Sequence, residues 1–195
     1  MDLVSIIIPI WGDKYNEFLD ECLESVFAQT YQNIEVIVVN SATDLPTARN
    51  LGIREALGVW VLCLDADDKI SPDYIEKCLK EPYDVVGGGI QEFGDYDRYT
   101  YIEQTGDFTE YNKMHCSALF KKEMWEQLGG YDEAMKSGYE DWDFWHRASK
   151  AGYTFKMIDE PIFFYRKHGK TMVNEASKKH NQLKNYICNS TIQRI

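Results

Sequence analysis

The segment Val59–Asp68, VWVLCLDADD, constrains the fold more than any other part of the sequence. Its apolar run, which ends at Leu64, is typical of a buried strand in a parallel sheet. Three of the next four residues are aspartate: Asp65, Asp67 and Asp68. Clustered carboxylates repel one another unless a cation neutralises them, and their oxygens suit a divalent metal. The segment therefore predicts a metal site at the carboxyl end of a strand, where the metal would hold an anion such as a diphosphate.

The sequence before this segment alternates between strand and helix patterns. Val4–Ile10 is apolar and rich in β-branched residues, which predicts a central parallel strand covered on both faces, and Ile34–Val39 is predicted as the second strand. Asn16 is a suitable cap for a first helix, and Pro46 suits the first position of a second helix that we expect to end at Gly58. The residues of the second helix expected to face the core are Ala48, Leu51, Ala56 and Leu57. This alternation predicts an α/β fold with a mostly parallel central sheet flanked by helices.

The pattern after the acids is weaker. We expect a short helix that begins at Ser71-Pro72 and a strand over Asp84–Ile90, whose three glycines indicate close approach of another backbone or a ligand. Residues 91–114 are polar and rich in tyrosine, which predicts a loop or an edge hairpin. The other expected elements are helices over Lys121–Leu128 and from Asp141 to Gly152, two short strands over Tyr153–Ile158 and Ile162–Tyr165, and a polar tail after Asn174.

Composition argues against several classes of function. The 195 residues include 21 Lys and Arg against 32 Asp and Glu, and the net charge of −11 argues against nucleic acid or an anionic membrane as the main partner. Five scattered cysteines without CxxC spacing indicate reduced thiols, not a zinc site or a disulfide framework. The first apolar run is too short to span a membrane and lacks the flanks of a signal peptide. We expect one cytoplasmic domain without a transmembrane segment, peripheral to a membrane if a substrate resides there.

Several fragments, in their order and spacing, resemble the GT-A-type glycosyltransferases of the large family 2. The fragments are SIIIPIW, IEVIVVN, ARNLGIREALGVWVLCLDADD, LGGYDE, YEDWDFWHRASKAG and YRKHG. The resemblance implies a GT-A-type fold with a Rossmann-like sheet, in a single domain over 1–195. It divides the domain into a nucleotide-sugar-binding half over about 1–90, an acceptor-binding and catalytic half over about 91–173, and a tail over 174–195. The family commonly has an aspartate-rich turn after its second strand, and here NSATD replaces it, which leaves the nucleotide base open.

The resemblance also implies how the donor is bound. Asp67 would bind Mn²⁺ or Mg²⁺, and Asp65 would contact the ribose or the sugar; the DxD spacing permits both roles. His168 would complete the metal site or contact the diphosphate, and Arg166 or Lys167 would meet phosphate oxygens. An acidic, solvated turn and a lone surface histidine are the plainer alternatives.

Five further residues are implied in nucleotide-sugar binding: Pro9, Trp11, Asn40, Arg49 and Ala66. An ion pair on a helix surface would explain Arg49 about as well, and hydrophobic packing would explain Trp11 equally.

The resemblance places the catalytic base in the pair Glu140-Asp141. Asp141 would take the proton of the acceptor hydroxyl, and Glu140 would support it or bind the acceptor. The neighbours Tyr139 and Trp142 could desolvate the carboxylate and raise its pKa. Acids that merely favour the first turn of a helix are the alternative, and for Asp143 we expect only that role.

The other histidines are expected to be structural. We expect His115 to be a hydrogen-bonded structural residue, and His146 and His180 to lie on helix surfaces.

The predicted reaction is metal-dependent transfer of a sugar from a UDP-, GDP- or dTDP-linked donor to a hydroxyl of a glycan or lipid-linked sugar, with inversion. Two other functions stay open at this point. A sugar-phosphate nucleotidyltransferase would need a glycine-rich, basic loop after the first strand, where this chain has WGDKYNE. A non-catalytic nucleotide-sugar-binding domain would keep the DADD acids and would not need Asp141.

Overall fold

A computed structural model describes residues 1–10, 16–40, 44–104, 106–169 and 176–194, which are built around one eight-stranded mixed sheet. The strands are β1 Val4–Ile10, β2 Ile34–Asn40, β3 Trp60–Cys63, β4 Lys69–Ile70, β5 Val85–Gly94, β6 Arg98–Thr100, β7 Leu119–Lys121 and β8 Phe155–Lys167. Their order is β2-β1-β3-β7-β5-β8-β4, and β6 pairs with β5. The β2-β1-β3 and β5-β8 neighbours are parallel, and the others are antiparallel.

Six helices of the described residues flank this sheet. They are α1 Asn16–Phe27, α2 Leu45–Glu55, α3 Tyr74–Lys80, α4 Lys122–Gln127, α5 Glu140–Lys150 and α6 His180–Arg194. In the described parts of the chain, none of the helices has the length and apolar character needed to cross a bilayer. The predicted α/β architecture, with a central sheet between helices, is confirmed.

Every residue of β1 is buried because helices cover both faces of the sheet. Ile6 and Ile8 point into the core that holds Cys22 of α1, whereas Ile7 points into the core that holds Ile53 of α2. A strand that is covered on both faces needs a continuous apolar run, which is the pattern that predicted it. The parallel β1, β2 and β3 end at the same edge of the sheet, so their carboxyl ends are brought together.

The predictions for α2 need correction. The helix ends at Glu55, and Ala56, not Gly58, caps it. Leu51 and Leu57 are 42% and 80% exposed, because the helix turns Gly52 and Ile53 toward β1 instead. A Cβ on Gly52 would lie 2.3 Å from Cγ2 of Ile7, so a glycine is needed for the helix to pack this closely on the strand.

The two strands predicted over 153–165 form one strand, β8, and the prediction of a break was wrong. The polar residues before Pro161 suggested a loop, but β8 continues through them and its pairing with β5 shifts register at Gly88 and Gly89. A Cβ on Gly88 would lie 2.1 Å from Cγ1 of Ile162, and one on Gly89 would lie 2.7 Å from the Glu160 carbonyl oxygen. The glycines of β5 therefore allow the close backbone approach that the sequence indicated.

The tyrosine-rich segment 91–114 is partly a hairpin. β5 pairs first with β7 at Val85 and Val86, and farther along it pairs with β6 over Ile90–Glu92. The segment from Tyr101 to Cys116 then crosses toward α5, and its described residues form neither a helix nor a strand. Residue 105 lies outside the described residues. The division of the chain into a donor half and an acceptor half stays a prediction.

Candidate active site

One cavity of about 370 Å³ lies where the acidic segment after β3 meets the beginning of α5. The segment contributes Asp65 and Asp67 to its wall, and α5 contributes Glu140 and Asp141. The other lining residues are Pro9, Leu45, Arg49, Ala66, Ile90, Asn112, His115, Cys116, Gly138, Tyr139, Phe163, Tyr165, Lys167 and Ala176. The two acidic clusters, about 75 residues apart in sequence, therefore share one cavity.

Arg49 joins these two clusters. Its Nη2 donates to Oδ1 of Asp65 at 2.7 Å, and its Nη1 donates to Oε1 of Glu140. The Arg49 and Glu140 side chains are 1% and 6% exposed, so their ion pair is shielded from water, whereas Asp65 is 24% exposed. Burial alone would lower the pKa of Arg49, but Asp65 and Glu140 outweigh it and hold the pKa well above its usual range. Arg49 is thus a buried cation and not part of a helix-surface ion pair.

Asp141 has the protonation behaviour of a general base near neutral pH. Burial, and then the adjacent Glu140, raise its pKa to about 7, while Arg49 acts in the opposite direction. Its Oδ1 accepts a hydrogen bond from the Trp142 backbone N–H at 2.8 Å, and its Oδ2 accepts one from Asn112 at 2.9 Å. A base is most effective when its pKa lies near the working pH, and Asp141 meets that condition at the wall of the cavity.

Asp67 and His168 fit a divalent cation. His168 Nε2 lies 2.9 Å from Asp67 Oδ2, and the two side chains are 19% and 16% exposed. Burial and the nearby Asp65 carboxylate raise the pKa of Asp67, so a positive charge beside it would be stabilising. No group of three His, Cys, Asp or Glu side chains in the described ranges is arranged for a metal. A Mg²⁺ site that substrate phosphates and water complete needs only one or two carboxylates.

Arg166 holds the acidic segment in place. Its backbone N–H donates to Oδ1 of the buried Asp68, its Nε donates to the Asp67 carbonyl, and its Nη2 donates to Glu21. Its guanidinium lies 4.4 Å from the ring centroids of both Phe18 and Phe93. These contacts occupy Arg166, whereas Lys167 lines the cavity and pairs with Glu92 at 3.2 Å.

The model of Glycosyl transferase family 2 matches residues 5–47 and 43–135, which is more than half of the chain. The chain belongs to glycosyl transferase family 2. The match includes the β1 strand, the Arg49 helix and the DADD acids, and it stops before Glu140.

Relatives of this family 2 chain are longer than it is. The uncharacterized glycosyltransferase EpsJ of Bacillus subtilis is 26% identical in an alignment that covers 85% of this chain and 61% of EpsJ. Glycosyltransferase GlyA of Streptococcus pneumoniae is 27% identical in an alignment that covers 64% of this chain and 22% of GlyA. The structure of S. aureus TarS 1-349 in complex with UDP superposes with a TM-score of 0.70 at 15% identity, over 84% of this chain and 60% of that one. The likeness to TarS shows the same fold.

The structure brings together most of the residues predicted for the family 2 site. Seven of them line the cavity: Pro9, Arg49, Asp65, Ala66, Asp67, Glu140 and Asp141. His168 reaches the site through Asp67, and Arg166 lies behind the acidic segment. Asn40 is exposed at the end of β2 and, among the described residues, is not part of the cavity wall. Trp11 lies outside the described residues, as do residues 41–43 of the NSATD turn. The functional roles of all these residues stay predictions.

Two polar residues of the family 2 motifs have structural roles that the sequence did not predict. Asn50 accepts hydrogen bonds at Oδ1 from Trp125 Nε1 and from the Tyr131 N–H, and so anchors the GGYDE turn. Asp143, expected to be only a first-turn acid, is fully buried and pairs with Arg147 at 2.8 Å. Arg147 also donates to the Leu128 and Gly130 carbonyls, so it fixes α5 to the same turn.

The surface position predicted for His146 was wrong, and His180 is half-buried. His146 is 2% exposed, because α5 is covered on that side as well. His180 stacks on Trp142 with centroids 5.8 Å apart and hydrogen-bonds to the Tyr139 hydroxyl at 3.3 Å, since α6 packs on α5. His115 bonds through Nε2 to the Gly88 carbonyl, as expected of a structural histidine, but it also lines the cavity, and burial lowers its pKa to about 4.

Sequence reasoning missed the cavity residues outside the motifs. Asn112 and Cys116 come from the irregular segment after β6, and Phe163 comes from β8. The Cys116 thiol lies 3.4 Å from Oδ2 of Asp65, and burial and that carboxylate raise its pKa. The segment after β6 has no periodicity that could have shown which of its side chains reach the cavity.

Proposed function

We propose that this family 2 chain transfers a sugar from a nucleoside diphosphate sugar to a hydroxyl of a glycan or a lipid-linked sugar, with a divalent metal and with inversion. The observation that carries the proposal is the bridge from Asp65 through Arg49 to Glu140. Because one buried cation holds both acidic clusters, the acids proposed for the donor and the base proposed for the acceptor face the same cavity. That arrangement suits a reaction between two bound substrates.

The donor side is assigned to the acidic segment and β8. Asp65 would contact the ribose or the sugar, and Lys167 would meet diphosphate oxygens. Asp67 and His168 would hold Mn²⁺ or Mg²⁺, which when bound acts as a Lewis acid toward the negative charge of the leaving diphosphate. The TarS structures in complex with UDP and with UDP-GlcNAc support a nucleoside diphosphate sugar as the class of donor.

The acceptor side is assigned to the beginning of α5. Asp141 would remove the proton of the acceptor hydroxyl as that oxygen attacks the anomeric carbon from the face opposite the diphosphate. The Glu140 carboxylate, paired with Arg49, would keep a fixed charge beside the base. One part of the cavity wall is formed by the side chains of Ile90, Phe163 and Tyr165. Such an apolar surface suits the C–H face of a sugar ring.

The proposal is tested with a panel of UDP-, GDP- and dTDP-sugars. A bound donor should raise the melting temperature in the presence of Mn²⁺, because it binds only the folded state. The stabilising donor should then be transferred to an added glycan or lipid-linked sugar, and NMR of the product should show an inverted anomeric configuration. Absence of stabilisation by every donor, or transfer with retention, would contradict the corresponding part of the proposal.

The variant Asp141→Asn separates an enzyme from a non-catalytic binding domain. Asn keeps the shape of the side chain and cannot accept the proton, so transfer should fall by about two to four orders of magnitude while donor binding persists. An unchanged transfer rate in a folded Asp141→Asn variant would remove the base assignment.

A further inference from the structure

Asn112 touches the proposed base from a part of the chain that none of the family motifs includes. It lies in the irregular segment between β6 and β7 and lines the cavity. Its Nδ2 donates to Oδ2 of Asp141 at 2.9 Å. Its Oδ1 accepts from the Met114 backbone N–H at 3.3 Å, which fixes the amide with its NH₂ group toward Asp141.

The second oxygen of Asp141 is held from the opposite side. Oδ1 accepts from the Trp142 backbone N–H at 2.8 Å, so each carboxylate oxygen has one donor. With both oxygens held, the plane of the carboxylate is fixed relative to the cavity. Asn112 is the member of this pair of donors that a side-chain substitution can remove.

The charge around Asp141 shows what the amide contributes. Glu140 faces it with a negative charge from the same helix, and Arg49 faces it with a positive charge from α2. The thiol of Cys116 and the hydroxyl of Tyr131 are near enough to feel its charge. A hydrogen bond from an amide N–H favours the ionised carboxylate, and so opposes the effect of burial and of Glu140.

We propose that Asn112 is a positioning residue for transfer: it orients Asp141 toward the acceptor hydroxyl and keeps this base ionised near neutral pH. This inference rests on the proposed function. A residue that only bound the acceptor would affect the acceptor KM and would leave the pH dependence of kcat unchanged. The two roles are therefore separable by experiment.

Two variants of the full chain test the proposal. Asn112→Ala removes the donor, and Asn112→Asp keeps the size and the acceptor for the Met114 N–H but places a second carboxylate beside Asp141. In Asn112→Ala the acid limb of the kcat profile should move up by about one pH unit, which lowers kcat about tenfold on that limb. In Asn112→Asp it should move farther in the same direction, because the two like charges repel.

Binding and stability measurements serve as controls. The dissociation constant of UDP, measured by calorimetry with Mn²⁺, should change less than about twofold in both variants. The reason is that Asn112 contacts Asp141 and not Asp65 or Asp67. Asn33→Ala is the matched control, because Asn33 is an exposed residue just before β2. Within the described residues, its side chain hydrogen-bonds only to the Met1 carbonyl. This control should keep the wild-type pH profile.

The outcomes distinguish this proposal from the one on which it rests. An inactive Asp141→Asn together with a wild-type pH profile in both Asn112 variants would overturn the role of Asn112 alone. A raised acceptor KM with an unmoved acid limb would also overturn it, in favour of acceptor binding. Full activity of Asp141→Asn would overturn the base assignment, and the role of Asn112 with it.

Discussion

Replacing Arg49 with Met should destabilise the fold far more than a surface ion-pair deletion does. Arg49 and the Glu140 side chain are 1% and 6% exposed, so the variant leaves the Glu140 carboxylate buried without its cation. Breaking a buried pair by removing one partner costs about 3–5 kcal/mol. Asp65 is 24% exposed and becomes hydrated when Arg49 is removed, so the loss of the Arg49–Asp65 ion pair adds at most about 1 kcal/mol. Met fills much of the volume of the arginine stem, so a cavity contributes little.

Equilibrium unfolding in urea measures this cost. With a slope of about 2 kcal/mol per molar urea, the unfolding midpoint of Arg49→Met should fall by roughly 2 M relative to the wild type. Arg98→Met is the matched control: Arg98 is 68% exposed, and its partner Glu92 keeps a second ion pair with Lys167 at 3.2 Å. The control should lose less than about 1 kcal/mol.

A double variant tests whether the cost comes from the orphaned carboxylate. Arg49→Met combined with Glu140→Gln removes the uncompensated charge and should restore more than half of the lost free energy of unfolding. If Arg49→Met unfolded at the same urea concentration as Arg98→Met, the buried bridge would contribute nothing measurable and the reasoning would be refuted. Failure of the double variant to regain stability would show that packing, not charge, explains the loss.

Three further predictions concern the same site. The kcat for transfer should rise through an acid limb near pH 7, because the pKa of Asp141 is raised to about 7 and the base acts when ionised; a pH–rate profile with its limb near pH 4 would contradict this. Asp67→Ala should abolish the Mn²⁺-dependent part of UDP binding in calorimetry, and His168→Ala should weaken it about tenfold or more, whereas equal binding with and without Mn²⁺ would contradict the metal site. Arg166→Lys should lower the free energy of unfolding by about 2 kcal/mol, since an ammonium cannot bond to both the Asp67 carbonyl and Glu21 while it stacks on the rings of Phe18 and Phe93. Urea unfolding followed by circular dichroism measures the change, and an unchanged midpoint would contradict it.

The first half of the fold was predictable because its signals are local. The run Val4–Ile10 is buried on both faces, and such a strand can be built only from a continuous apolar sequence. The second helix α2 begins at Leu45, one residue before the predicted first position at Pro46, and its cap Asp44 accepts from the Thr47 N–H at 3.0 Å. The exact face of that helix was not predictable, because Leu51 and Ile53 are equally apolar and only the close contact between Gly52 and β1 decides which of them is buried.

The single strand β8 was not predictable for a similar reason. Asp159, Glu160 and Pro161 have the composition of a turn. The strand continues through them because two glycines of β5 let its backbone shift register, and those glycines lie about 70 residues away in sequence. Pairing across such a distance leaves no periodic signal in either segment.

The candidate site shows the same division between local and distant causes. The acids Asp65 and Asp67 follow directly from their place after β3, where three carboxylates end an apolar run. The burial of Arg49 between Asp65 and Glu140 depends on contacts across 16 and 91 positions, so a surface ion pair remained an equal interpretation of the sequence. Asn112 had no signal at all, since one asparagine in a polar segment resembles any other.

The electrostatics of the cavity connect these observations. Asp65, Asp67, Glu140 and Asp141 would repel one another in a common cavity if all were ionised and unpaired. Arg49 neutralises part of this charge, and it does so on the side where Asp65 and Glu140 approach each other. Asp67 lies on the other side, where His168 is its partner, and burial together with Asp65 raises the pKa of Asp67. Asp67 is therefore the acid beside which a divalent cation carrying a diphosphate would supply positive charge, and Asp141, whose pKa is raised to about 7, is the acid that would exchange a proton near neutral pH.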